Sequence, residues 1–212
     1  APLREFVRYL FQLGYMDTYL IPPKQMPKLH PEAPYFFSED ELFYFFRECD
    51  SYYAENPGPR ARGIIMPALF RVLYCCGLRP KEARMLPYGN VNLTEKYIDV
   101  IQSKGPKSRR IFISDELASY LMIYDNYVSA MFPKRHYFFP VDVDKAYSVQ
   151  TIGYNFTLIW KKTFPEWSGK LPRIYDLRHH FAWATINRWA KEGTDVNAML
   201  PYLMRYMGHN CI

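Results

Sequence analysis

The sequence holds little that could build a covalent or metal-based scaffold. Four cysteines are spread over 212 residues, Cys49, Cys75, Cys76 and Cys211, with no C-x-x-C pair and no cysteine–histidine spacing suited to zinc. Reduced thiols in a cytoplasmic setting are therefore expected, with no metal and no cofactor. Long hydrophobic runs are missing too. The longest, Gly63 to Leu78, is broken by Arg71 and is short for a bilayer crossing, and the N-terminus shows no basic, apolar, small-residue signal pattern. A membrane partner is not expected. Internal repeats and low-complexity tracts are absent as well.

Apolar and aromatic residues are plentiful, at 49% and 18% of the chain. That is ample for one sizeable core plus a smaller remainder, and it argues against disorder. Lysine and arginine outnumber aspartate and glutamate by 27 to 21, a net charge of +6. The resulting isoelectric point near 9.0 favours polyanionic partners without selecting one.

Residues 1–14 place Phe6, Leu10 and Leu13 on one helical face and stop at Gly14, which reads as the last helix of a preceding module. A linker over 15–34 follows, with Pro22, Pro23, Pro27, Pro31 and Pro34. The main domain is expected over 35–212. Ser38-Glu39-Asp40-Glu41 is a capping box that launches a helix through about Cys49. A second helix is predicted from near Arg62 to Cys76, closed by Gly77, which leaves Arg79 on the segment opening the next helix before Leu86-Pro87. The period then turns to two, with strands at Tyr97–Ile101 and Arg110–Ile113 flanking the basic turn Ser103 to Ser108. Helices resume after Ser114 and at about 148–163, 177–191 and 195–207. The fold class is mainly α with a small antiparallel β-sheet.

Two arginines stand out, Arg79 in Gly77-Leu78-Arg79-Pro80 and Arg178 in Tyr175-Asp176-Leu177-Arg178-His179-His180-Phe181. A guanidinium keeps its charge and presents paired donors that match two phosphate oxygens, so two of them can neutralise a pentacoordinate phosphorane. Taken singly, an arginine is more often a solvated charge or a structural salt bridge, and Glu82, one turn from Arg79, is a ready partner. Lys104 at the hairpin tip could reach a scissile phosphate or simply a DNA backbone, while Lys107, Arg109 and Arg110 read as sequence-independent backbone contacts. His209 follows Gly208 at a helix end; His179 reads as a structural hydrogen-bonding residue and His180 stays unassigned. Tyr202 and Tyr206, on the helix before Gly208, read as core packing.

Gly77-Leu78-Arg79 with Glu82, the turn Lys104-Gly105-Pro106-Lys107-Ser108-Arg109, Tyr175-Asp176-Leu177-Arg178-His179, and Leu203 through His209 occur in the order and spacing of the tyrosine recombinases, the phage-integrase family. Each motif is weak alone, but the ordered set, covering roughly Ser38 to Ile212, is specific. The N-terminal segment resembles the end of that family's core-binding domain. The resemblance implies site-specific DNA strand cleavage and rejoining through a 3′-phosphotyrosyl intermediate, without a metal, in a homotetrameric synapse on double-stranded DNA. In that scheme Arg79 and Arg178 bind the non-bridging oxygens, Lys104 protonates the leaving 5′-oxygen and His209 hydrogen-bonds the phosphate, with Glu82 and His179 in support. The family's usual histidine three positions before the second arginine is Tyr175 here, a donor but a weak base near neutral pH. The nucleophilic tyrosine is expected two to three helical turns after His209, past Ile212, so the chain is read as truncated and inactive alone. The isolated chain is expected to be a monomer with weak, salt-dependent DNA affinity, of bacterial, phage or mobile-element origin and nucleoid-associated. The competing readings are a DNA-binding relative without chemistry and a type IB topoisomerase-like enzyme.

Overall fold

The computed structural model describes residues 12–15, 33–58, 60–101 and 108–208. The chain divides into two units, Ala1–Ala33 and Pro34–Ile212. In the first, Gln12 is helical and Gly14 follows with φ of +74°. The remainder of the helix expected over 1–14, and nearly all of the proline-rich stretch, lie outside the described residues, as does the turn around Lys104.

The second unit is mainly helical with two small antiparallel sheets. In chain order it comprises α1 (Glu39–Glu55), α2 (Arg62–Cys76), α3 (Pro80–Arg84), β1 (Val91–Asn92), β2 (Tyr97–Val100), β3 (Arg109–Phe112), α4 (Asp115–Met131), β4 (Pro140–Asp142), β5 (Lys145–Ala146), α5 (Val149–Thr163), α6 (Asp176–Lys191) and α7 (Val196–Met207). The strand order is β1-β2-β3 in one sheet and β4-β5 in the other.

α2 is the centre of the unit, and its composition requires that position. It is apolar on nearly every face, and a helix of that kind must be covered all round. α1, α4, α5 and α6 pack around it, and Ile65 through Phe70, with Val72 and Leu73, are almost inaccessible. Between α1, α2 and α5 an aromatic layer interlocks: Phe45 and Phe156 rings lie 4.9 Å apart, Phe70 and Phe156 meet edge-to-face at 5.9 Å, and Phe37 sits 5.6 Å from Trp160. One polar pair is buried there with its hydrogen bonds made. Tyr53 donates to Asn155 Oδ1 at 2.6 Å, and Asn155 donates to the Thr151 carbonyl at 2.8 Å, avoiding the cost of an orphaned polar group.

The helix starts follow local chemistry. The Ser38 hydroxyl accepts from Glu41 N–H at 3.1 Å and Glu41 returns the bond to Ser38 N–H at 2.8 Å. α1 runs six residues beyond the predicted end at Cys49, because Leu42, Phe45, Cys49 and Tyr53 continue one buried stripe. Ser114 caps α4 by accepting from Leu117 N–H; with leucine in the third helical position no return bond is possible. Ser148 and Asp195 cap α5 and α7 in the same way.

The three-stranded sheet buries one face, with Ile98 and Ile111 directly opposed and both fully inaccessible. The short β1 extends it beyond the expected pair. The β4–β5 sheet was not expected: strands of three and two residues, one starting at a proline, carry no alternating pattern.

Candidate active site

Gly77 ends α2 in the left-handed region, with φ of +59°. The fully buried Leu78 then anchors the chain. Arg79 precedes a proline, which holds it extended at ψ of 144° and out of the helix that begins at Pro80. One turn on, the Glu82 carboxylate reaches back, accepting from Arg79 N–H at 2.9 Å and from the Arg79 guanidinium at 2.7 Å. The second arginine arrives one turn inside α6. Its guanidinium is only 2% exposed and donates to the Gly77 carbonyl at 2.6 Å and to the Met207 carbonyl. Arg79 in turn donates to the Gly208 carbonyl at 3.1 Å.

These bonds have a common logic. Carbonyls at the C-terminal ends of helices lack intrahelical partners and carry the negative end of the helix dipole. The ends of α2 and α7 point such groups at one place, and two arginines occupy it. Tyr206 adds a tie between the same two ends, its hydroxyl donating to the Cys76 carbonyl at 3.0 Å while its ring stacks on Phe181 at 5.4 Å.

A third guanidinium completes the cluster. Arg109, at the start of β3, donates to both Glu82 oxygens, at 3.1 and 2.8 Å, with its side chain 10% exposed. Arg178 stands 4.0 Å from the same carboxylate. Burial alone would raise the Glu82 carboxyl, but the hydrogen bonds and charges of Arg109 and Arg79 outweigh it and hold the group at about 2. Burial pushes Arg178 down to about 10, with the neighbouring Arg79 charge adding to the effect; it is still a cation near neutrality. Among these four groups three cations face one anion, a surplus of two positive charges.

Arg79, Glu82 and Arg178, singled out in the sequence, thus lie together. Tyr175, just before α6, is 39% exposed at the margin, its ring 5.3 Å from that of His179; burial lowers the His179 imidazole below its ordinary range. His180, unassigned from sequence, is buried and stacks on Tyr74 at 5.9 Å, and its Nδ1 makes no hydrogen bond among the described residues. Lys104, Lys107 and His209 lie outside the described residues. Arg110 faces outward, paired with Asp99 at 2.8 Å and lying 3.6 Å over the Tyr97 ring. Arg109, expected beside it as an outward contact, is directed inward at Glu82. The signal was present in the strand period: Arg109 shares a face with the buried Ile111, and Arg110 with the exposed Phe112. Tyr206 packs as expected, but Tyr202 is 69% exposed, so it is not a core residue. It borders a groove of about 630 Å³ formed with Tyr74, Phe112, Phe181, Trp189 and Leu203.

Comparison with known proteins places this geometry in context. The model of the phage integrase family matches residues 39–211. The Sinorhizobium fredii protein y4rE, which carries an integrase/recombinase name, is 30% identical over 210 residues, covering 98% of this chain and 66% of its own length. The tyrosine recombinase XerD of Brucella suis is 25% identical over 132 residues, covering 59% of this chain and 42% of the relative. The chain therefore spans slightly under two thirds of the first relative's length. Among solved structures, XerA recombinase superposes with a TM-score of 0.67 at 23% identity, over 98% of this chain and 66% of that one. A lambda integrase tetramer bound to a Holliday junction gives 0.62 at 14% identity, over 99% of this chain and 56% of its own. At those identities the likeness is one of fold.

Proposed function

Because the chain belongs to the phage integrase family, we propose that it is the catalytic portion of a site-specific DNA recombinase, cutting and rejoining double-stranded DNA by transesterification on protein side chains alone. A tyrosine hydroxyl attacks the scissile phosphodiester, its proton leaves, a 3′-phosphotyrosyl bond forms and the 5′-oxygen departs with a proton from Lys104. The 5′-hydroxyl of a partner strand then reverses the step. Arg79 and Arg178 hold the non-bridging oxygens, which gain charge as the phosphorane forms. His209 hydrogen-bonds the same phosphate, Tyr175 donates from the position where the family usually has histidine, and His179 supports it. Lys107 and Arg110 contact the backbone. Tyr206 is not the nucleophile, since its hydroxyl is committed to the Cys76 carbonyl and burial raises it far above the ordinary phenol range.

The observation that carries this reading is the convergence of three guanidiniums, those of Arg79, Arg109 and Arg178, on the one Glu82 carboxylate where the ends of two helices meet, which suits a phosphodiester that passes from one negative charge to two. Assembly is read from the relative: the lambda integrase solved as a tetramer on a Holliday junction supports a tetrameric synapse here.

The test is capture. The full-length protein that includes this chain is incubated with a library of randomised duplexes, and adducts that survive detergent are sequenced and their peptides mapped. A phosphotyrosyl peptide joined to a 3′ end is the expected product. Binding without any adduct would overturn the enzymatic reading in favour of a DNA-binding protein. Relaxation of supercoils without recombinant products would mark a topoisomerase instead.

A further inference from the structure

We propose that Arg109 is a positioning residue of the phosphate pocket: from β3 it takes the Glu82 carboxylate in a two-pronged grip, so that Glu82 aligns Arg79 without cancelling its charge. The assignment rests on the recombinase reading above.

Glu82 presents a difficulty for any anion site. It touches Arg79 through both the guanidinium, at 2.7 Å, and the main-chain N–H, at 2.9 Å, and it stands 4.0 Å from Arg178. A carboxylate so placed fixes Arg79 well, yet it also repels an incoming phosphate. Arg109 answers that repulsion from the far side. Its two terminal nitrogens bond one to each carboxylate oxygen, an arrangement that suits arginine and that lysine cannot reproduce. Its Nε makes no hydrogen bond among the described residues, so the fork to Glu82 sets where the group lies. With Arg109 in place, Glu82 is balanced and can align Arg79 without cancelling its charge. The fork also ties the sheet to α3, so the strand that follows the basic turn is registered against the helix that opens with Arg79.

Arg110 supplies the contrast. One residue on, the side chain points the other way, 48% exposed and paired with Asp99, where a backbone phosphate could reach it. Arg109 is 10% exposed. Neighbours in sequence, the two arginines differ in kind because a strand alternates its faces.

The experiment compares Arg109→Met, Arg109→Lys and the double variant Glu82→Gln/Arg109→Met with the full-length parent, on a duplex recovered by adduct capture. Single-turnover cleavage at saturating DNA is measured beside DNA affinity across a salt series. Arg109→Met is expected to lower the cleavage rate on the order of 100-fold, as a small misplacement of a catalytic group does, with affinity and salt slope unchanged. Arg109→Lys, which keeps the charge but not the fork, is expected to fall between. Removing the unbalanced carboxylate in the double variant should recover at least 10-fold of the loss, a rescue that general misfolding would not give. Arg110→Gln is the reference for a backbone contact, lowering affinity and reducing the salt slope by about one. If Arg109→Met behaves like Arg110→Gln, or cleaves at the parent rate, the assignment is overturned while the recombinase reading stands. If the parent forms no adduct on any duplex, both fall.

Discussion

Arg178 donates to the Gly77 carbonyl at 2.6 Å across 101 positions of sequence, and this bond makes the end of the central helix part of the site. α2 is held by the core, Gly77 closes it, and the carbonyl left over at its end receives the arginine that arrives on α6. The arginine cluster is built on what the fold leaves unsatisfied.

Gly77 therefore carries two demands at once. Its φ of +59° is costly for any residue with a Cβ, and a Cβ there would sit 2.5 Å from the Phe181 ring. Gly77→Ala is expected to lose roughly 2–4 kcal/mol of unfolding free energy from backbone strain and overpacking combined. Urea denaturation measures it, and a loss below about 0.5 kcal/mol would show that Phe181 gives way at little cost.

Glu82 sets a pH dependence. Its folded carboxyl titrates at about 2 instead of 4.5, so the stability it contributes is complete above about pH 4.5 and is lost as the pH falls through about 2. Linkage puts that contribution at up to about 3 kcal/mol. The stability difference between the parent and Glu82→Gln should shrink across this acid window and stay flat from pH 5 to 8. A difference that instead narrows toward alkaline pH would contradict the ion-pair geometry.

Much of this was legible in the residues. The Ser38–Glu41 box, the bounds of α2 and the closing Gly77 follow from rules that act within one turn. The expected end of α1 falls short of the observed one because the buried Tyr53 carries the apolar stripe past Asp50 and Ser51. The β4–β5 pair had no local signal, and its strands meet only where the chain folds back. Arg79, Glu82 and Arg178 were visible through motif order. The inward turn of Arg109 was missed although the strand period carried it, since a basic hairpin arm suggests solvent until Ile111 is used to fix which face is buried. Gly77 and Gly208 mark in the sequence where two helices stop, but nothing local shows that the carbonyls left at those ends, of Gly77, Met207 and Gly208, converge on the two arginines.

Tyr175 offers a test of the proton pathway. Beside His179 at the pocket margin, its hydroxyl is proposed to donate to the phosphate, and a hydrogen bond to a charged group is worth about 1.5–3 kcal/mol, or roughly 10- to 100-fold in rate. Tyr175→Phe should lose that factor in single-turnover cleavage with little change in DNA affinity. Tyr175→His should restore it and add an inflection to the pH–rate profile near the ordinary imidazole value of about 6.5. Parent-like cleavage by Tyr175→Phe would remove Tyr175 from the chemistry.

Arg178→Lys separates charge from geometry. A lysine in its place keeps one positive charge, but its single nitrogen cannot reach both the Gly77 and Met207 carbonyls as the two arms of the guanidinium do. One buried carbonyl is then left without a donor, which costs about 1–3 kcal/mol. One effect opposes that loss. Arg178 is destabilised by its own burial and by Arg79, and a more flexible cation relaxes part of that repulsion. The orphaned carbonyl outweighs it, since an ammonium is more strongly hydrated than a guanidinium and is costlier to bury. A net loss of about 1–2 kcal/mol on thermal or urea unfolding is therefore expected. Cleavage should fall by at least 100-fold, because the remaining donor no longer meets the phosphate in fixed geometry. A lysine variant that melts with the parent and cleaves at its rate would mean that a point charge suffices at this position, and the two-armed contact to the ends of α2 and α7 would have no part in catalysis.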